Sequence, residues 1–123
     1  MIGYTIIGTN DLPRAQGFYD ALFEVVGFKR LSSFGNRGCV WGKNWNQPCF
    51  AIALPYDKSP ATPGNGNLVA LACKDAARVD AVYAKARELG ASADDGGLTS
   101  GFYSKYFRDL DGNKLCAFCM VKG

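Results

Sequence analysis

Asn10-Asp11-Leu12 and Lys74-Asp75-Ala76 are the two points at which an apolar, strand-like segment passes into an amphipathic helix. The segment before each point is short and apolar. The segment after each point places apolar residues at spacings of three and four, which is the period of a helix with one buried face. The two halves of the chain match in the order and length of these elements. The sequence therefore contains an internal repeat, and this repeat predicts the fold.

Both predicted helices carry signals at both ends. Asp11 and Asp75 are placed to cap the N-termini, because a side-chain carboxylate accepts a hydrogen bond from the otherwise unpaired amides of the first turn. Gly27 and Gly90 end the helices, since glycine takes the left-handed conformation that closes a helix C-terminus. The sequence thus bounds one helix in each half.

Three strand-like segments follow each helix, so each half predicts the order strand, helix, three strands. The predicted strands cover residues 3–8, 28–34, 38–42 and 49–54 in the first half, and 67–73, 91–93, 102–108 and 114–121 in the second. The fold class is therefore α+β, with two tandem βαβββ modules.

A single domain of 123 residues is expected, with module one at 1–55, a linker at 56–66 and module two at 67–123. The stretch from Pro55 to Gly66 holds three prolines and two glycines, which interrupt regular structure. Gly64-Asn65-Gly66-Asn67 resembles a phosphate-binding loop, but it precedes a strand and lacks the helix N-terminus that such a loop uses. A linker is the better interpretation.

Composition excludes several classes of function. The net charge of +3 is spread along the chain without a run of Lys or Arg, which argues against nucleic-acid binding. No apolar run is long enough to span a membrane, and the N-terminus lacks the pattern of a signal peptide. Five cysteines in apolar segments fit buried free thiols in a reducing compartment better than a disulfide framework. We expect a cytoplasmic protein with no nucleic-acid or membrane partner.

The closing segment, Phe107-Arg108-Asp109-Leu110-Asp111-Gly112-Asn113-Lys114-Leu115, predicts a tight turn, because Asp, Gly and Asn tolerate the positive φ of hairpin turns. Together with Ile7-Gly8-Thr9-Asn10-Asp11-Leu12, Phe18-Tyr19 and the repeated module, it resembles the vicinal oxygen chelate superfamily. That superfamily contains glyoxalases, extradiol dioxygenases, fosfomycin-resistance enzymes and bleomycin-binding proteins. The resemblance covers the whole chain. It implies that the mixed sheets of the two modules form a half-open cup, commonly completed by a second subunit in a homodimer.

The resemblance also implies a metal site, for which this sequence lacks the donors. In the family's enzymes a divalent metal is bound by His, Glu or Gln side chains, and those positions fall on Tyr4, Leu68, Cys116 and the segment 49–54. The chain has no histidine, and its eleven carboxylates fall on predicted helices, linkers or turns. Transition metals need such ligands. We therefore expect no metal and no cofactor; a centre that recruits the Cys116 thiolate is the alternative.

Tyr4 and Cys116 are the candidate catalytic residues. Cys116-Ala117-Phe118-Cys119 has the spacing of a redox pair, but strand residues three apart face opposite sides and lie about 10 Å apart, beyond disulfide reach. The resemblance implies that Cys116 faces the cup. A nucleophilic role would need a positive neighbour, for which Lys105 and Arg108 are the candidates. A structural thiol is the alternative.

The candidate ligand-binding residues are mostly aromatic or apolar side chains on predicted strands: Tyr4, Trp41, Phe50, Leu68, Tyr103, Tyr106, Cys116 and Phe118. Each such side chain is more often part of a core than of a ligand site. A cup lined by them in place of polar ligands would suit a planar or hydrophobic compound. Arg37, Lys43 and Lys105 are candidate anion contacts, although solvated surface charge is the usual role of such residues.

Three functions remain open on the sequence. The preferred one is a glyoxalase/bleomycin-resistance-like protein that binds a small molecule in a dimer cavity without a metal, because sequestration needs only a complementary cavity. The second is a metal-independent or atypical lyase or isomerase of the glyoxalase type. It would use Tyr4 or Cys116 for proton transfer, which requires tuning of pKa values that ordinarily lie above neutrality. The third is a structural dimer whose cup is filled by its own aromatic side chains.

Overall fold

The chain was studied as a computed structural model that describes residues 1–96 and 100–121. It divides into two compact units, Met1–Pro63 (unit 1) and Gly64–Gly123 (unit 2). Each unit follows the order strand, helix, three strands, which confirms the predicted α+β class and its two modules. Predicted module two includes residues 97–99 and 122–123, which lie outside the described residues.

The ten elements alternate as the internal repeat requires. They are β1 (Tyr4–Gly8), α1 (Leu12–Glu24), β2 (Lys29–Phe34), β3 (Gly38–Gly42), β4 (Cys49–Ala53), β5 (Val69–Ala72), α2 (Ala76–Glu88), β6 (Ser92–Asp94), β7 (Phe102–Arg108) and β8 (Lys114–Met120). Helix α2 begins at Ala76, three residues before Val79, the first large apolar residue of the predicted helical pattern. Among the described residues, neither helix is long and apolar enough to cross a membrane.

Each unit contains one four-stranded mixed sheet. The strand order is β1-β4-β3-β2 in unit 1 and β5-β8-β7-β6 in unit 2. The opening strand of each unit pairs in parallel with the last strand, and the other pairs are antiparallel. The two units therefore repeat the same topology as well as the same element order.

The helix caps lie where the sequence predicts them. Asp11 Oδ1 accepts a hydrogen bond from the Arg14 amide at 3.1 Å, and Asp75 Oδ1 accepts one from the Arg78 amide at 2.9 Å. Gly27 has a φ of +78° and lies just beyond the end of α1. The two caps fix where each helix begins, and Gly27 reverses the chain just after α1 ends.

Helix α1 covers one face of its sheet with aromatic side chains. The Tyr19 ring lies 4.8 Å from that of Phe50 and 5.8 Å from that of Trp41, and Phe23 packs on both. The indole Nε1 of Trp41 donates to Asp20 Oδ1 at 2.8 Å. The core of unit 1 is therefore a buried aromatic cluster between α1 and strands β3 and β4.

The ladder of β7 and β8 sorts the side chains of unit 2 onto two faces. Phe107 pairs with Leu115 and Tyr103 pairs with Cys119, whereas Tyr106 pairs with Cys116. The Tyr83 ring of α2 contacts Phe107 at 6.5 Å between centroids, so the Phe107 face lies under the helix. Because strand side chains alternate, the other face carries a different set. We call this second set the α2-distal face: Ala70, Asp94, Ser104, Tyr106, Arg108, Lys114, Cys116 and Phe118.

The connection between β7 and β8 is the predicted tight turn. Asp109 Oδ1 accepts hydrogen bonds from the amides of Asp111 and Asn113, both at 2.9 Å, and the Asn113 side-chain amide donates to Asp109 Oδ2 at 3.0 Å. Gly112 has a φ of +84°. Asp109 and Asn113 are both buried, so this network fixes the register with which β8 returns beside β7.

Candidate functional site

Trp41 and Phe50, two of the predicted ligand-binding residues, lie in the core of unit 1. They face each other across the β3–β4 ladder and pack beneath α1, where both are buried. The ring contacts with Tyr19 and Phe23 described above fill their surroundings. In this structure they are core residues rather than walls of a cavity.

Tyr103 lies on the face of unit 2 that α2 covers, away from Tyr106. Its hydroxyl donates to Asp80 Oδ1 at 2.6 Å, and Lys105 Nζ lies 3.0 Å from the same oxygen. The hydrogen bonds from Tyr103 and then Lys105 hold the pKa of Asp80 below its usual value, and the bond to Asp80 raises the pKa of Tyr103. Tyr103 and Lys105 therefore form a surface cluster with Asp80 of α2.

A cavity of about 360 Å³ brings together two of the predicted residues, Leu68 and Tyr106. It is lined by Gly64, Asn65, Gly66, Asn67, Leu68, Gly96, Tyr106, Arg108 and Lys114. Cys116 is the direct ladder partner of Tyr106 and is fully buried, and Phe118 follows two residues later on the same face. The α2-distal face thus holds three of the eight predicted ligand-binding residues, and a fourth, Leu68, lines the same cavity as Tyr106.

Two cations, Arg108 and Lys114, line this cavity, and both lie near the carboxylate of Asp94. Arg108 Nε lies 2.8 Å from Asp94 Oδ2, and Lys114 Nζ lies 3.6 Å from the same atom. Lys114 also donates to the Asp95 carbonyl at 2.6 Å and sits 5.5 Å from the centre of the Tyr106 ring. The Asp95 amide donates a hydrogen bond to Asp94 Oδ1, and this bond holds the pKa of Asp94 below its usual value. The hydrogen bond from Arg108 lowers it further. These three side chains together carry one net positive charge at neutral pH.

Gly96 determines where the Tyr106 ring can lie. A Cβ atom at residue 96 would overlap ring atoms Cζ, Cε1 and Cε2 of Tyr106. The ring therefore packs directly on the Gly96 backbone, and a larger residue there would displace it. No sequence pattern indicates this role, because a glycine just after a short strand has many ordinary explanations.

A larger cleft of about 670 Å³ lies in unit 1, at the turn between β2 and β3 and the first part of the linker. It is lined by Thr9, Asn10, Asn36, Arg37, Leu54, Pro55, Tyr56, Lys58, Ser59 and Pro60. Arg37 was a candidate anion contact, and the structure places it in this cleft. The linker residues were expected only to join the modules, and here they form one wall of a cavity.

Comparison with known proteins identifies the family. The family model described as "Glyoxalase/Bleomycin resistance protein/Dioxygenase superfamily" matches residues 1–117. This chain belongs to that superfamily. The match spans nearly all of both βαβββ units, so it agrees with the fold described above.

Solved structures agree with the superfamily assignment. A glyoxalase/bleomycin resistance protein from Albidiferax ferrireducens T118 is 29% identical, with a TM-score of 0.88 over 98% of this chain and 99% of that one. Two more distant structures show the fold alone. A lactoylglutathione lyase from Agrobacterium tumefaciens is 20% identical (TM-score 0.68, 97% and 92% covered), and TnmS3, an antibiotic binding protein from Streptomyces sp. CB03234, is 21% identical (TM-score 0.70, 98% and 96% covered). Curated proteins gave no match.

The side chains at the superfamily's metal positions do not fit a divalent metal. Tyr4 is 58% exposed and offers a phenol, and Leu68 is 43% exposed and offers only hydrocarbon. The third position, Cys116, is a buried thiol. Over residues 1–96 and 100–121, no three or more His, Cys, Asp or Glu side chains form a group that could hold a metal ion. The donors that a family-type centre requires are absent from these positions.

Cys116 also lacks the properties of a nucleophile. Burial raises the pKa of its thiol to about 11, with a further rise from Cys73 and a partly offsetting effect of Lys114. At neutral pH the sulfur is therefore a neutral thiol, whereas the thiolate is the reactive form. Its positive neighbour is Lys114; Lys105, which was a candidate for that role, lies on the opposite face. Cys119 also lies on that opposite face, and all five cysteines are free, as expected.

Proposed function

We propose that this superfamily member binds a small, partly apolar molecule without a metal, in the cavity on the α2-distal face of unit 2. One observation carries the proposal. At the family's metal positions in this unit, Leu68 lines a cavity and a buried neutral thiol at Cys116 lies opposite the Tyr106 ring. The site therefore offers an aromatic and aliphatic surface where the family's enzymes place metal ligands.

The size and walls of the cavity indicate the kind of ligand. A volume of about 360 Å³ lies within the range of small-molecule pockets. Tyr106 and Leu68 offer apolar contact, and an aromatic side chain provides a large surface at low conformational cost. Arg108 and Lys114 add positive charge at the rim. These features favour a small molecule with a planar apolar part and an electron-rich or anionic group.

A binding role also agrees with one relative of the same fold. The Streptomyces neighbour is described as an antibiotic binding protein, so this architecture supports ligand binding in at least that case. Fold likeness alone does not determine function. The lyase or isomerase alternative receives no support from Cys116, because its thiol is buried and protonated at neutral pH.

We further propose that the protein works as a cytoplasmic homodimer. Strand β1 lies at one edge of its sheet, and its side chains Tyr4 and Ile6 are exposed on the same side, with Ile2 also exposed. An exposed apolar strip on an edge strand is a surface that a second copy can cover. The five free thiols suit a reducing compartment.

The first experiment is native mass spectrometry of freshly purified protein, combined with metal analysis. The proposal expects two subunits, no stoichiometric transition metal and, where a ligand co-purifies, a small organic mass. A stoichiometric metal bound by native side chains would refute metal-independent binding.

The second experiment locates the site by ligand-observed NMR with a library of planar aromatic fragments. Fragments that bind the wild-type protein should lose affinity in Tyr106→Ala. The matched control is Tyr103→Ala, which removes the same side chain from the opposite face of β7. Equal losses in both variants, or no loss in Tyr106→Ala, would show that the cavity on the α2-distal face is not the binding site.

A further inference from the structure

Arg37 in unit 1 lies close to two aromatic rings. The centre of its guanidinium lies 5.6 Å from the Phe34 ring centre and 5.3 Å from the Tyr56 ring centre. Within the described residues, neither Arg37 nor Lys58 of the same cleft forms a salt bridge. A guanidinium carries its N–H donors around the edge of its plane, and Arg37 is exposed, so these donors can reach a carboxylate, sulfonate or phosphate.

Hydrogen bonds join the segments of chain that form the cleft. Asn10 Oδ1 accepts from the Ala61 amide at 2.6 Å, and Asn10 Nδ2 donates to the Ala61 carbonyl at 3.0 Å. The Leu54 amide donates to the Arg37 carbonyl at 2.7 Å. These bonds hold the backbone around Asn10, Arg37 and Leu54 in place, and groups that are already held in place reduce the ordering cost of binding.

Lys58 adds an independent indication. Its φ is +66°, in the left-handed region that side-chain-bearing residues rarely adopt, and glycine would occupy it without strain. Backbone outliers of this kind are concentrated at functional sites. The ammonium of Lys58 thus belongs to the same cleft as Arg37, on a backbone conformation that its side chain does not favour.

Most of the surface that lines the cleft is apolar, although Thr9, Asn10, Asn36 and Ser59 also contribute to it. Leu54, Pro55, Tyr56 and Pro60 line the cleft, whose volume of about 670 Å³ is ample for a molecule with two aromatic rings. Asp57, the acidic residue of this linker segment, has one oxygen bonded to the Ser59 amide and is not among the lining residues. An apolar cleft with two unpaired cations is complementary to an apolar anion.

We propose that this unit 1 cleft is a second binding site, and that it takes aromatic organic anions. The aromatic part of the ligand lies against Tyr56, Leu54 and Pro55, and its anionic group lies between Arg37 and Lys58. No residue lines both this cleft and the cavity of unit 2, and the proposal does not depend on the function proposed for that cavity.

The test uses the aromatic sulfonate 8-anilinonaphthalene-1-sulfonate and its uncharged analogue N-phenyl-1-naphthylamine, both followed by fluorescence. Arg37→Gln and Lys58→Gly should each weaken sulfonate binding about tenfold or more, because hydrogen bonds to charged groups are the strong ones. Lys58→Gly retains the positive φ while removing the charge. The uncharged analogue should bind both variants as well as it binds the wild type.

Lys43→Gln is the matched control, since it removes an exposed cation of unit 1 that does not line the cleft. It should leave sulfonate binding unchanged. The amide signals of Leu54 and of residues 56–59 in ¹H–¹⁵N spectra should shift on addition of the sulfonate and should not shift in Arg37→Gln. The proposal is overturned if Arg37→Gln and Lys58→Gly bind the sulfonate as tightly as the wild type does. It is also overturned if Lys43→Gln loses as much affinity for the sulfonate as they do, or if the two variants lose equal affinity for the charged and the uncharged dye. Should Arg37→Gln not fold, Lys58→Gly decides by itself.

Discussion

Gly96→Ala should destabilise unit 2 by displacing the Tyr106 ring. The added Cβ overlaps three ring atoms, and the ring is buried, with Cys116 and Asp94 as its ladder partners on either side. Inserting one methyl group into a site this tight costs about 1–3 kcal/mol in the free energy of unfolding. Gly17→Ala is the control, because nothing lies within 4 Å of its added Cβ and it sits inside α1. Alanine there should stabilise the protein by about 0.5–1 kcal/mol.

Urea unfolding followed by far-UV circular dichroism gives the free energy for each variant. A double-mutant cycle then isolates the ring, because in a Tyr106→Ala background the methyl group has nothing to overlap and its cost should fall to near zero. If Gly96→Ala costs as much without the ring as with it, the reasoning is refuted and the cost lies in the backbone. Gly96→Ala should also weaken the binding of fragments that lie beside Tyr106.

Three further outcomes follow from the buried polar and titratable groups. Brief exposure to iodoacetamide at pH 7 should leave Cys116 unmodified in the folded protein and modify it in urea, as peptide mass spectrometry would show; native modification would contradict its burial. Because folding raises the pKa of Cys116 from 9.0 to about 11, its contribution to stability is complete below pH 9 and is lost as pH rises towards 11, at most about 2–3 kcal/mol. Urea midpoints should therefore fall more steeply over that range in the wild type than in Cys116→Ala, and equal slopes would be evidence against the shift. Asp109→Ala should cost about 2–4 kcal/mol, because it removes two buried hydrogen bonds that the Asp109 carboxylate accepts from Asn113, whereas Asp57→Ala, which removes one exposed hydrogen bond, should cost less than about 1 kcal/mol; similar urea midpoints for the two would contradict this.

The fold could be predicted because its signals are local. The carboxylates of Asp11 and Asp75 reach the amides three residues later, so a cap leaves a readable pattern in the sequence. The Asp109–Asn113 turn is local for the same reason. Repetition of these signals in both halves fixed the element order and the fold class.

The site was less predictable, because it depends on which face of a strand a side chain occupies. Tyr103 and Tyr106 are three residues apart on β7, so only one of them can share a face with Cys116. The same alternation places Cys116 and Cys119 on opposite faces of β8. Trp41 and Phe50 lie on strands buried on both sides, and such strands show no alternation from which to infer a face.

Gly96 and Arg37 show a second limit. Their roles arise from residues far away in sequence: the Tyr106 ring over Gly96, and the Tyr56 ring beside Arg37. No pattern within either residue's own segment predicts these contacts. Long-range packing of this kind becomes visible only in three dimensions.

All five sulfhydryl groups are unbridged, and four of them are buried. Burial by tertiary packing is consequently the main protection of these thiols against oxidation by dissolved oxygen. A chain that unfolds under aerobic conditions exposes every one of them at once, and an odd number cannot pair completely within one molecule, so oxidised chains would crosslink to one another. Recovery after heating should therefore depend on the reductant in the buffer more than on the cooling rate.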